Sequence, residues 1–131
     1  MSSALQYLRL SAILAVIRMF YLIEPQEFEV GSYHNALGDN LDTLAIIGYA
    51  EVHHLTDSET LAMFCEAYTE VLNSPDGDNH PNIRAFMDVG HKGFRLKFFP
   101  LQLRPEFQIS DDVSLKTEIR VKAIINDLLR L

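Results

Sequence analysis

The sequence predicts an α+β fold from three stretches. An apolar segment at the start reads as a helix, residues 57–73 carry a helical apolar stripe, and residues 84–99 alternate like a β-hairpin. The predicted order is α-β(β/ββ)-α-β-β(β)-α, an antiparallel sheet packed by three helices in one domain, residues 1–131. A chain of this length buries roughly two-thirds of its unfolded surface as a single domain. Its apolar share of 48% is that of an ordinary globular protein.

The first helix is predicted over residues 2–22. Leu5, Leu8, Ala12, Ile13, Val16, Ile17, Met19 and Phe20 point in nearly every direction around it. Such a helix is covered on more than one side, either by a second copy of the chain or by its own sheet. Residues 4–23 approach the length of a membrane span. Arg9 and Arg18 interrupt them, and the uncharged run Leu10 to Ile17 is too short for an anchor. No charged leader or small-residue cleavage site accompanies the segment, which argues against a signal peptide.

Glu24-Pro25 ends the helix, because the residue before proline resists the helical region. Residues 26–42 are turn-rich, with a short strand at Phe28 to Tyr33. Thr43 to Leu55 is β-branched and apolar, and Gly48 in its middle favours a bulged strand over a helix. The second helix runs from Asp57 to Asn73, started by Thr56, Asp57 or Ser58. Leu61, Phe64, Cys65, Tyr68, Val71 and Leu72 form its core stripe, and Glu59, Glu66 and Glu70 line the opposite side.

Ser74 to Asn79 is a loop by composition. Arg84–Val89 and Phe94–Phe99 then form the hairpin around Gly90-His91-Lys92-Gly93. The predicted register pairs Val89 with Phe94, Met87 with Leu96 and Ala85 with Phe98, and places Asp88 opposite Arg95. Leu101 to Ile109 adds an edge strand, and Ser110-Asp111-Asp112 starts a last helix to Leu131 with a Glu118–Lys122 contact.

Charge is segregated along the chain. Residues 19–83 carry twelve acids and no lysine or arginine, while the flanking segments hold all eleven basic residues and only six acids. The net charge of −7 thus combines one strongly negative stretch with two mildly positive ones. An acidic balance argues against general nucleic-acid binding. The two halves can also simply attract each other within one fold or across a dimer.

Chemistry-bearing motifs are weak. His53 and His54 point to opposite faces of a strand, and His34, His80 and His91 lie in loops, so no metal site is predicted. The lone Cys65 forms no intramolecular disulfide, fits a cytoplasmic compartment and lies on a core stripe. Asp76-Gly77-Asp78-Asn79 resembles the start of a calcium loop, but Pro81 stands where that loop needs glycine. No catalytic motif or cofactor fingerprint occurs, so neither a catalytic residue nor a cofactor is assigned. Gly90-His91-Lys92-Gly93 matches the GxxG loop of KH domains in letters, yet strand-like alternation flanks it.

RAFMDVGHKGFRLKFFPLQLRPEFQISDDVSLKTEI resembles the closing half of class I type III secretion chaperones and related bacterial sensory-regulator domains. Helix 57–73 and the first helix occupy matching places. The resemblance implies a small, acidic, dimeric α+β module that binds an extended segment of a partner protein without enzymatic activity. The roadblock family is the runner-up by element order.

The expectation is a non-enzymatic protein-binding adaptor or regulator, a homo-oligomer through its first helix, working in the cytoplasm with another protein as partner. Candidate binding residues are Glu59, Glu66 and Glu70 on the acidic side, and Arg84, Phe86, Arg95, Lys97 and Phe99 on the hairpin's second face. Two alternatives remain open. The basic and aromatic hairpin face could bind single-stranded nucleic acid, or the chain could be a small enzyme without a recognisable motif.

Overall fold

The computed structural model of the chain describes residues 6–131. The fold is α+β, with six α-helices among the described residues and two small antiparallel sheets. Helix α1 spans Leu8–Phe20, so the predicted start at residues 2–5 lies outside the described residues. It passes directly into strand β1, Tyr21–Ile23.

A hairpin follows, β2 at Phe28–Val30 and β3 at Tyr33–Asn35, turning at Gly31 with φ 58°. Helices α2 (Leu41–Val52), α3 (Asp57–Ala62), α4 (Cys65–Asn73) and α5 (Pro81–Val89) come next. A single 3-10 turn at Gly90–Gly93 leads to β4, Phe94–Arg95. The chain closes with β5 (Leu101–Leu103), a 3-10 turn at Pro105–Phe107, and α6 (Asp111–Leu129).

Two predicted elements change type. Thr43 to Leu55 is helix α2 rather than a strand, and every residue from Leu44 to Ala50 is buried. A short continuous apolar run has no polar face to reveal its period, so burial on all sides hides the helix. Arg84–Val89 is part of α5 rather than the first arm of a hairpin. Pro81 stands at its first turn, where a missing N–H costs nothing, and Ile83 and Phe86 bury one face at i,i+3 spacing.

Strand β4 therefore pairs with β2, as Glu29↔Arg95 and Val30↔Phe94, and not with residues 84–89. Arg95 meets Glu29 at 3.4 Å instead of Asp88. The predicted edge strand shortens to β5, which pairs with β1 as Tyr21↔Leu103 and Ile23↔Leu101. Helix 57–73 divides into α3 and α4, where Cys65 adopts a left-handed φ of 47°. The three predicted helices thus become six among the described residues.

The last helix lies where predicted, capped by the Ser110 hydroxyl accepting from Val113 N–H at 3.1 Å. Its Glu118 turns toward Tyr21 and His53 rather than Lys122, while Lys116 meets Asp112 at 3.1 Å. Helix α1 packs against α6, α4 and α2 and buries Ile13, Leu14, Ile17 and Phe20. At the α1–α6 seam Ile13, Ile17, Val121 and Ile125 are almost fully buried. Each contributes roughly 1.5–3 kcal/mol through burial. Leu8 and Met19 stay exposed. Among the described residues no helix is long and apolar enough to cross a membrane.

Candidate functional site

Two features stand out on this scaffold, a cavity among the helices and a locked aromatic loop. The cavity, about 430 Å³, opens between α1, α2, α4 and α5. Leu10, Leu14, Ile46, Phe64 and Ile83 line its floor, and Tyr7, Ser11, Asn40, Asp42, Thr43 and His80 surround it with polar groups. Asn40 and His80, immediately before α2 and α5, both adopt left-handed backbone, φ 54° and 50°. Non-glycine residues occupy that region at a local energetic cost.

Buried amides hold this arrangement. Asn35 and Asn82 exchange hydrogen bonds of 2.9 and 2.8 Å, and Asn40 Nδ2 donates to Asn35 Oδ1 at 2.7 Å. The network joins β3 to the starts of α2 and α5. Asn35 and Asn40 belong to the turn-rich stretch 26–42 of the sequence, where nothing points to Asn82, 47 positions beyond Asn35.

The predicted acidic face does not form a free surface. Glu66 reaches back to the start of α1, accepting from the N–H groups of Arg9 at 2.7 Å and Leu10 at 2.9 Å. Partial burial pushes its carboxyl upward, but those two donors prevail and hold it below the usual carboxylate range. Glu70 accepts from Gln6 at 3.1 Å and faces His80 Nε2 at 3.1 Å. The Tyr7 hydroxyl, followed by His80, holds Glu70 low, and the same bond pushes Tyr7 up to about 12. Glu59 completes a capping box with Thr56. All three acids work at helix ends or beside the cavity.

The basic residues divide as well. Arg84 folds onto loop 74–79, with Nε donating to the Asn79 carbonyl at 2.6 Å. Phe86 is core at 1% exposure, so Arg84, Phe86, Arg95, Lys97 and Phe99 do not share one face. Arg95 and Lys97 reach acids of the 19–83 stretch, Glu29 at 3.4 Å and Glu27 at 3.3 Å, and Arg18 meets Asp42 at 2.7 Å. Part of the charge segregation is therefore resolved inside one fold.

Phe98 and Phe99 remain exposed, at 44% and 48%. Their loop is pinned from beneath by Gln26, which is 3% exposed. Gln26 Nε2 donates to the Phe98 carbonyl at 2.7 Å, and its Oε1 accepts from Lys97 N–H at 2.9 Å and Phe98 N–H at 3.3 Å. One buried amide thus satisfies three backbone groups of a segment without regular structure. Glu24 N–H also donates to Pro100 O at 2.7 Å. The sequence picked out Lys97 and Phe99 here but not Gln26, whose partners lie more than seventy positions away.

Three of the five histidines, His53, His80 and His91, lie beside carboxylates. His91 lies between Thr60 Oγ1, at 2.7 Å from Nε2, and Glu51, at 3.5 Å from Nδ1. His53 Nε2 is 3.3 Å from Glu118, which also accepts from Tyr21 at 2.6 Å. Among the described residues no three His, Cys, Asp or Glu side chains converge as a metal site. Burial, then the neighbouring Glu66 charge, pushes the Cys65 thiol up to about 11, so little thiolate forms at neutral pH.

Fold and surface define a small α+β protein with a helical core, a pocket of ligand size among its helices and a presented aromatic pair. Residues 1–101 match the family described as HopJ type III effector protein, and the chain belongs to that family. A solved structure described as the unknown-function protein VPA0580 is similar at 29% identity and a TM-score of 0.70, covering 72% of this chain and 80% of that one. No curated protein matches. The hairpin that carried the likeness to secretion chaperones is replaced by α5 and a single short strand. What persists from that likeness is the association with type III secretion.

Proposed function

We propose that this chain is a non-enzymatic protein-binding module of a type III secretion-related family, engaging its partner through the Phe98–Phe99 loop. The observation that carries this reading is the pair of exposed phenylalanines on a backbone locked by buried Gln26. A rigid aromatic pair enters a partner's apolar pocket with little loss of conformational freedom, the usual character of an interface anchor. Lys97 and Arg95 flank it and, with Glu27 and Glu29, form a charged rim that sets encounter and orientation more than affinity. Unpaired Cys65 suits a cytoplasmic working compartment. In a dimer, the second copy would cover Leu8 and Met19 of α1, and Met19→Glu would then convert it to monomer in light scattering.

The test is recovery of the partner by immobilised protein. Wild type should retain one partner in stoichiometric amount, and Phe98→Ser with Phe99→Ser should bind it at least about thirtyfold more weakly. Circular dichroism and the unfolding midpoint should stay native, since both rings are half in solvent. Equal recovery by wild type and the double variant refutes this surface. A single-stranded oligonucleotide retained by wild type and lost in Arg95→Glu with Lys97→Glu would favour the nucleic-acid reading instead.

A further inference from the structure

None of the residues lining the helical cavity belongs to the aromatic loop, and the cavity has its own chemistry. Its volume of about 430 Å³ suits a small organic molecule. Leu14, Ile46 and Phe64 supply apolar floor, and no lysine or arginine lines it.

Some of the polar groups around the cavity are already engaged inside the protein. His80 directs Nε2 at the Glu70 carboxylate at 3.1 Å, and Asn40 gives one amide N–H to Asn35. Acceptors are available at the cavity in the Tyr7, Ser11 and Thr43 hydroxyl oxygens and the Asn40 carbonyl. Asp42 adds a carboxylate, of which Arg18 occupies one oxygen.

Two helices also begin here, and helix starts favour anions. That preference is blunted at both. Pro81 opens α5 without an N–H, and Asp42 already lies in the first turn of α2. The surrounding sequence, residues 19–83, contains twelve acids and no lysine or arginine, so the wider field draws cations.

We propose that this cavity binds a small amphipathic amine, its ammonium group held by acceptors of Tyr7 and Asn40 beside Asp42, with Glu70 behind His80, and its apolar body against Leu14, Ile46 and Phe64. An aromatic floor and rim also suit a cation electrostatically.

The experiment uses the full chain and 2-phenylethylamine as probe, with 2-phenylethanol and 3-phenylpropanoate as neutral and anionic counterparts of similar shape. Calorimetry should show the amine binding at least about tenfold tighter than either counterpart, as expected for a charge-assisted contact. Amide spectra should place the largest shifts at Ser11, Thr43 and His80. Ser11→Trp, at an exposed position, should obstruct the mouth, and Glu70→Gln should remove the charge behind it. Each should weaken amine binding at least about tenfold. Equal or tighter binding of either counterpart, or amine affinity unchanged in Ser11→Trp, overturns the proposal. Because the readout is direct binding of a defined probe, its failure leaves the Phe98–Phe99 reading untouched.

Discussion

Gly48 shows how one residue can point in opposite directions at two levels. In the sequence it argues against a helix, because glycine costs a helix interior about 1 kcal/mol relative to alanine. In the fold it lies inside α2, where an added Cβ would meet Pro100 Cγ at 2.8 Å and Leu101 Cγ at 3.4 Å. Its lack of a side chain lets strand β5 approach the helix. Gly48→Ala should therefore lower stability by about 1–2 kcal/mol in urea unfolding, overpacking outweighing the propensity gain. A stabilised variant would contradict the close approach. Gly90 is constrained twice, by a φ of 62° and by the Asp57 carboxylate occupying the Cβ position. Its role was invisible when residues 90–93 read as a hairpin turn.

At the scale of elements, the start of α1 depends on a carboxylate from another helix. No side chain of α1's own N-cap residue serves it, and Glu66 of α4 takes the Arg9 and Leu10 N–H groups instead. Glu66→Gln should cost about 1–2 kcal/mol at neutral pH, from loss of charge-assisted bonds at a helix start. The sign of the pH dependence follows from the lowered carboxyl. Because the folded state prefers the ionised form, the stabilisation is full above the ordinary carboxylate range and fades as pH falls through the lower folded value. Unfolding midpoints from pH 7 to pH 3 should show a smaller acid-induced fall in Glu66→Gln than in wild type. Parallel curves would show that Glu66 does not contribute through its charge.

Elements with local end signals were legible. Ser110 begins α6 and Thr56 with Glu59 begins α3, each through contacts three residues apart. Helices α2 and α5 were misread for a shared reason. One is buried all round and shows no period, and the other is only nine residues long, so its i,i+3 pair Ile83 and Phe86 is too short a pattern to outweigh the alternation read from residue 84. The candidate surface fared likewise. Lys97 and Phe99 fell where binding is now proposed, whereas Phe86 entered the core once its segment became a helix.

Across the whole molecule, the pairs Arg18–Asp42, Arg95–Glu29 and Lys97–Glu27 tie both basic flanks to the acidic stretch. All are substantially exposed, and such pairs contribute about 0–1 kcal/mol each. Arg95→Glu with Lys97→Glu places like charges together and should lower stability by about 1–2 kcal/mol in dilute buffer. Most of that difference should vanish near 1 M salt, where the screening length is about 3 Å. A difference independent of salt would assign the effect to packing of the side-chain stems.

The sequence by itself determined the α+β class, the apolar first helix, the last helix with its serine cap, and the segregation of charge, because these depend on composition and on residues a few positions apart. Only the tertiary structure decided which apolar runs are helices, which strands pair, and which acids are already engaged. Those outcomes rest on contacts such as Glu66 to Arg9 and Gln26 to Phe98, made between residues 57 and 72 positions apart. Local propensity carries no trace of such partners until packing brings them together.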